Sequence, residues 1–158
     1  MLIVTTGFAM YGKEHPRVAV NGVIIKDGKV LLTLRSDKVL FPRLWCPPGG
    51  HLIAGSDWVG TLKQEVEEEV GLKVLSHQLI GIYSDPEVNI IFDEKSGKKI
   101  PFVSASFLVT EFEGEVKIND ESIEFGWFAE KDLPSPFIPC DAVKVKDAFR
   151  FQGKCFVK

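Results

Sequence analysis

The sequence predicts an α/β fold in which a mixed sheet is covered by helices on both faces, and three observations carry that expectation. Two β-branched, apolar runs, Val18 to Lys26 and Lys29 to Arg35, are separated by Asp27-Gly28, a strong two-residue hairpin signal. The stretch from Asp57 to Val70 repeats its apolar residues at helical spacing. Further strand-like runs follow, so the order along the chain is strands, helix, strands, helix.

Each element has its own reason. Between the hairpin and the helix, FPRLWCPPGGHLIAGSD (residues 41–57) reads as a loop, because its Pro47-Pro48-Gly49-Gly50 centre excludes regular structure. In the helix Val59, Leu62, Val66 and Val70 recur at spacings of three and four, Ser56 or Asp57 supplies the N-cap, and Gly71 the stop. Lys73 to Tyr83 and Ile100 to Phe112 read as strands, with the polar run Asp93 to Lys99 as a turn, and Phe125 to Phe128 as a short last strand. Asp141 to Phe151 closes the chain as a helix, although its VKVK alternation also suits a strand.

Composition narrows the function. A chain of 158 residues without repeats or linker-like tracts is expected to form a single domain, 1–158, with one site. With 45% hydrophobic and 26% charged residues it belongs with globular proteins rather than disordered ones. A net charge of -3 offers no general attraction to a nucleic-acid polymer or an anionic membrane, so a phosphate-bearing ligand has to be captured locally. Three scattered cysteines, the absence of an N-x-S/T sequon, and a first stretch too short and broken to span a bilayer point to a reduced, cytoplasmic protein.

The most informative segment is GHLIAGSDWVGTLKQEVEEEVGL, residues 50–72. At about 100° per residue, Glu65, Glu68 and Glu69 fall within an arc of about 100° beside the apolar stripe, and Glu67 points away. Like charges at these spacings each cost about 0.2–0.5 kcal/mol, and negative charge in the last turn opposes the helix dipole by about 0.3–1 kcal/mol. Burial of the four apolar side chains, about 1.5–3 kcal/mol each as an upper value, outweighs this, so the helix tolerates the cluster without explaining it. A hard divalent cation would explain it; a solvated acidic face is the plain alternative.

Residues 50–72 resemble the Nudix box, G-x5-E-x7-R-E-U-x-E-E-x-G-U with U a bulky aliphatic residue. The matches are Gly50, Glu65, Val66, Glu68, Glu69, Gly71 and Leu72, in register. The pattern's first Glu is Ser56 here, and its Arg is Gln64. The Trp45 to Gly50 lead-in, the run Gly81 to Pro86, and Glu124 to Phe128 followed by Asp132-Leu133-Pro134 also resemble Nudix proteins.

That resemblance implies the Nudix fold, an α/β/α sandwich, and hydrolysis of a nucleoside diphosphate linked to another group. It implies Mg2+ or Mn2+ as cofactor, with Glu65, Glu68 and Glu69 as metal ligands and catalytic groups. Gly49 and Gly50 would let backbone approach the phosphates, and Glu121 or Glu124 would be the general base, the alternative for each being an ordinary surface glutamate. Arg17 and Arg35, at strand ends, are candidates to pair with substrate phosphate, the alternative for each being a solvated strand end. Trp45, Tyr83 and Trp127 would either stack on a base or pack in the core; His51 and His77 have no partners at metal-ligand spacing.

The expected partner is a small nucleotide, of the ADP-ribose, nucleotide-sugar or nucleoside triphosphate type, and Pro86 lies about where ADP-ribose pyrophosphatases of the family carry a proline. A homodimer is left open. The competing expectation, resting on Ser56 and Gln64, is a Nudix-fold nucleotide-binding module with weak or no catalysis. A structural protein with an acidic helix would bind no divalent ion.

Overall fold

The computed structural model describes residues 15–158, so the apolar stretch at residues 1–10 lies outside the described residues. The predicted hairpin is β1 (Arg17–Lys26) and β2 (Lys29–Arg35), joined where Asp27 and Gly28 both take positive φ. That is the geometry an Asp-Gly pair accommodates best. Two short strands follow, β3 (Trp45–Cys46) and β4 (Gly49–His51), and then α1 (Trp58–Val70).

Beyond α1 come β5 (Lys73–Tyr83), α2 (Pro86–Asn89), β6 (Ile90–Asp93), β7 (Lys98–Glu113), β8 (Ser122–Ala129), α3 (Pro139–Phe149) and β9 (Phe156–Val157). The sheet runs β3-β2-β1-β7-β5-β9, with β4 on β1, β6 on β7 and β8 on β2. It is mixed: β1 with β7 and β5 with β9 are parallel, and the other ladders are antiparallel. The fold is the expected α/β/α arrangement of a mixed sheet between helices.

Strand parity decides what each helix covers. Val20 and Ile24 of β1, with Leu31, Ala105, Phe107 and Val109, pack against Leu62, Val66 and Val70 of α1. The intervening Val23, with Val30, Leu32 and Ile80, packs against Val145 and Ala148 of α3. At Gly22 an added Cβ would come within 3.0 Å of Leu62 and 3.2 Å of Val66, so the missing side chain lets α1 sit close on β1. Helix α1 is capped as its residues demand: Asp57 Oδ1 accepts from the Gly60 amide at 2.6 Å, and Gly71 turns the chain with φ of 69°.

Two expectations need correction, and two that were left open are decided. The loop expected over residues 41–57 contains β3 and β4, because the prolines end before Gly49, and from there the backbone is free to pair with Ala19, Val20 and Asn21 of β1. The closing segment is the expected helix and not the strand that its VKVK alternation also suited, since Val145 and Ala148 lie one turn apart on the buried face. The polar turn shortens because Asp93 pairs with Lys98, and α2 and β6 were not foreseen. Trp45, Tyr83 and Trp127 serve the interior: Trp45 packs edge-on against Phe128 at 5.2 Å, Trp127 stacks on Phe112 at 6.1 Å, and the buried Tyr83 hydroxyl donates to Asp147. Among the described residues, no helix is long and apolar enough to cross a membrane.

Candidate active site

A cavity of about 630 Å³ opens where the end of α1, β4, β1 and the start of α3 converge. Its floor is set by one bond that ties helix to loop: the amide of Gly49 donates to Glu69 Oε2 at 2.9 Å. Glu69 is 6% exposed. Pairing of β4 with β1 holds that amide in place, and the Gly22 amide adds a bond to the Pro48 carbonyl at 2.9 Å.

Glu65, one turn earlier, faces Gly50 so closely that an added Cβ would lie 2.5 Å from its carboxylate. The glycine is thus a steric requirement of the site.

Glu121 comes to the same cavity through a relay of backbone bonds. The amide of Asn119 donates to the carbonyl of Glu69 at 3.3 Å, Asn119 Oδ1 accepts from the Glu121 amide at 3.0 Å, and the Ser36 amide donates to the Glu121 carbonyl at 2.7 Å. The last bond also sets Glu121 near Arg35, whose Nε donates to the Leu40 carbonyl at 2.7 Å and whose Nη1 lies 3.9 Å from Cys46 Sγ.

Burial pushes the Glu69 carboxyl up to about 8; the Gly49 amide and Arg35 oppose the rise, and Glu65 and Glu121 add to it. Burial, with Glu68 and Glu121, also raises Glu65. Among the described residues none of these three carboxylates makes an ion pair. Acidic groups therefore gather here with Arg35 as a nearby cation but with no direct ion pair.

The expected site residues are only partly brought together. Glu65, Glu69, Glu121, Arg35, Gly49 and Gly50 line the cavity, whereas Glu68, Glu124 and Arg17 do not. Glu68 is exposed and accepts a hydrogen bond from Gln64 Nε2 at 2.9 Å. Glu124 is exposed on β8, opposite Leu34. Arg17 is exposed at the start of β1; burial lowers the His51 imidazole pKa, and the charges of Arg17 and Arg35 lower it further. Glu68 thus stays close enough to Glu65 for its charge to be felt, but it lies outside the cavity lining, exposed and bonded to Gln64. Among the described residues, no three His, Cys, Asp or Glu side chains are grouped closely enough to hold a metal ion.

The cavity also contains residues that sequence reasoning passed over: Asn21, Ser104, Asp141 and Lys144, with the thiols of Cys46 and Cys140. Burial pushes these thiols up to about 11 and about 12, leaving them inert near neutral pH. The available signal was Asn21 itself, a polar residue inside the apolar run RVAVNGVIIK.

A NUDIX domain model matches residues 15–148. The chain belongs to the Nudix family. An ADP-ribose pyrophosphatase of Methanocaldococcus jannaschii is 31% identical over 139 residues, covering 88% of this chain and 76% of that one. A nucleoside triphosphatase of Escherichia coli, NudI, is 28% identical over 119 residues, covering 74% and 84%. Among solved structures, a MutT NUDIX hydrolase from Burkholderia pseudomallei superposes with a TM-score of 0.71 at 26% identity, over 85% of this chain and 98% of that one. At the level of the family this Nudix protein is a pyrophosphohydrolase.

Proposed function

We propose that the cleft hydrolyses the pyrophosphate bond of a nucleoside diphosphate linked to another group, with Mg2+ or Mn2+ as cofactor and an ADP-ribose or nucleotide-sugar type of substrate. The observation that carries this reading is Glu69, buried in the cavity with one amide bond and, among the described residues, no direct ion pair, in a lining shared with Glu65 and Glu121. The substrate type is supported by the 31% identity to the archaeal ADP-ribose pyrophosphatase; NudI supports the nucleoside triphosphate alternative.

The donor set suits a hard divalent ion in kind: oxygen ligands only, raised in pKa first by burial and then by neighbouring carboxylates. Glu65 and Glu69 would hold it, and Glu68 would add an exposed carboxylate one turn away from Glu65. When bound, the ion would neutralise charge on the non-bridging phosphate oxygens and acidify a coordinated water.

The remaining work falls to the protein's own residues. Gly49 fixes Glu69 through its amide, and the bare Cα of Gly50 leaves room for the Glu65 carboxylate. Arg35, anchored by Leu40, offers a fixed cation to a phosphate oxygen. Glu121, across the cavity, is the group suited to accept a proton from the attacking water.

A second reading, a nucleotide-binding module with weak catalysis, is favoured by one feature, the outward Glu68 bonded to Gln64. Incubation of the purified protein with ADP-ribose, nucleotide sugars and nucleoside triphosphates in Mg2+ separates the two. Turnover of ADP-ribose to AMP and ribose 5-phosphate is the expected result; binding without turnover of any member would favour the module.

A further inference from the structure

Glu121 is the last residue before β8, in a segment that belongs to no helix or strand, and yet its side chain lines the cavity. The backbone around it is held by two residues outside the cavity lining, Ser36 and Asn119. Ser36 holds the carbonyls: its amide donates to the Glu121 carbonyl at 2.7 Å and its hydroxyl to the Asp120 carbonyl at 2.9 Å. Asn119 holds the amides: its Oδ1 accepts from the Glu121 amide at 3.0 Å and its carbonyl from the Ser122 amide at 3.3 Å. The two peptide planes that flank the Glu121 Cα are thus bonded at both ends. Because a peptide unit is planar, fixing both planes fixes φ and ψ of Glu121 and with them the direction of its side chain.

The β2–β8 ladder prepares this meeting. Leu34 pairs with Glu124 and Arg35 with Ser122, so β8 carries an extra residue, Ile123, opposite that step. A bulge of this kind re-aims the residues beyond it. It brings Glu121 level with Ser36, one position along from Arg35, which lines the same cavity. Ser36 is 5% exposed, and a buried hydroxyl is tolerated where it is bonded; here it also accepts from the Lys38 amide at 3.3 Å. The ion pair beside it is a weaker hold: Lys38 and Asp120 meet at 2.8 Å, but with side-chain exposures of 67% and 73% water screens them.

We propose that Ser36 is a positioning residue for the reaction: its amide and hydroxyl, with Asn119 opposite, fix the backbone on either side of Glu121 and so aim that carboxylate at the attacking water. The inference rests on the reading of Glu121 as the group that accepts a proton, and it adds what aims it.

Steady-state kinetics in Mg2+, on ADP-ribose or on the nucleotide that the wild-type protein turns over fastest, and hydrogen exchange of the protein alone test it together. Ser36→Ala should lower kcat about tenfold and change KM less than about twofold, as for a base that is present but misaimed. Glu121→Gln should lower kcat about 100-fold, and in that background Ser36→Ala should cost less than about twofold more, because the two residues act as one unit. Ser36→Thr, which keeps the hydroxyl, should recover kcat to within about threefold of wild type. Asp120→Asn breaks only the exposed ion pair and should change kcat less than about twofold. In Ser36→Ala the Glu121 and Ser122 amides should exchange about tenfold faster, with those of Leu62 and Val66 in α1 unchanged. Should Ser36→Ala fail to fold, Asn119→Ala, which frees the Glu121 amide at a half-buried side chain, carries the same comparison.

An unchanged kcat in Ser36→Ala, an equal loss with and without Glu121→Gln, or unchanged exchange at Glu121 would overturn this inference alone. Wild-type kcat in Glu121→Gln would remove the base and the role of Ser36 together. A wild-type protein that turns over none of the nucleotides would overturn the enzymatic reading itself, and this role with it.

Discussion

The Glu69 carboxylate and the Gly49 amide, 2.9 Å apart, join the last turn of α1 to the strand that β1 holds in place. This contact couples a buried carboxyl group to the β4–β1 pairing, and four expectations follow from it and from its neighbours.

Replacement of Glu69 by Gln should lower kcat by on the order of 100-fold or more, because an amide keeps the shape of the side chain but cannot ionise to hold a cation. Glu67, exposed on the opposite side of the helix, is the control, and Glu67→Gln should change kcat by less than about twofold. Steady-state kinetics on ADP-ribose with Mg2+ compares them. Equal losses would mean that the wrong side of α1 has been assigned to the chemistry.

Stability in the absence of metal should depend on pH through Glu69. Burial raises its folded-state pKa to about 8, from an ordinary value of 4.5. The folded state therefore favours the protonated acid: the stabilisation is complete below about 4.5 and is lost as pH rises through about 8. In EDTA the melting temperature should fall from pH 5.5 to pH 8.5, with a slope of up to about 1.4 kcal/mol per pH unit from this one group. Glu69→Gln should flatten that decline, and a flat wild-type profile would contradict the assignment.

The two adjacent glycines should fail in different ways. At Gly50 an added methyl meets the end of the Glu65 side chain, 2.5 Å away, which can swing aside, so Gly50→Ala should reduce activity with little change in melting temperature. At Gly49 the methyl would land on the carbonyl oxygen of Val20 and 2.6 Å from Asn21 Cα, where only backbone can yield. Gly49→Ala should therefore lower the melting temperature by several degrees, about 1 kcal/mol or more of stability. Thermal melts beside activity assays distinguish the two.

Chelation should abolish turnover and leave the fold. Leu62, Val66 and Val70 are fully buried against the sheet, and their burial is worth more than the repulsion among the glutamates. Far-ultraviolet circular dichroism with and without EDTA should superimpose; a large loss of helical signal would show that the carboxylates need an ion for α1 to form.

Much of the architecture was legible because its causes are local. The Asp27-Gly28 turn, the 3.6-residue stripe of Val59, Leu62, Val66 and Val70, and the stop at Gly71 each depend on residues a few positions apart. Strand β5 spans the residues that its pattern marked. What escaped notice depends on distant partners: β4 exists because β1 lies beside it. The sheet's apolar face likewise decides for a helix where the VKVK alternation left a strand open.

The same division runs through the cleft. By itself the sequence determined the chemical inventory near the end of α1, three glutamates at box spacing with Gln64 and Ser56 in place of the pattern's Arg and first Glu. Only the tertiary structure decided that Glu65, Glu69 and Glu121 line one cavity while Glu68 turns to Gln64, and that Asn21 meets Asp141 across 120 residues of chain. The physical reason is range. Helical periodicity sets a side chain's direction within one element, but its burial, its pKa and its partners depend on what the rest of the chain packs against it.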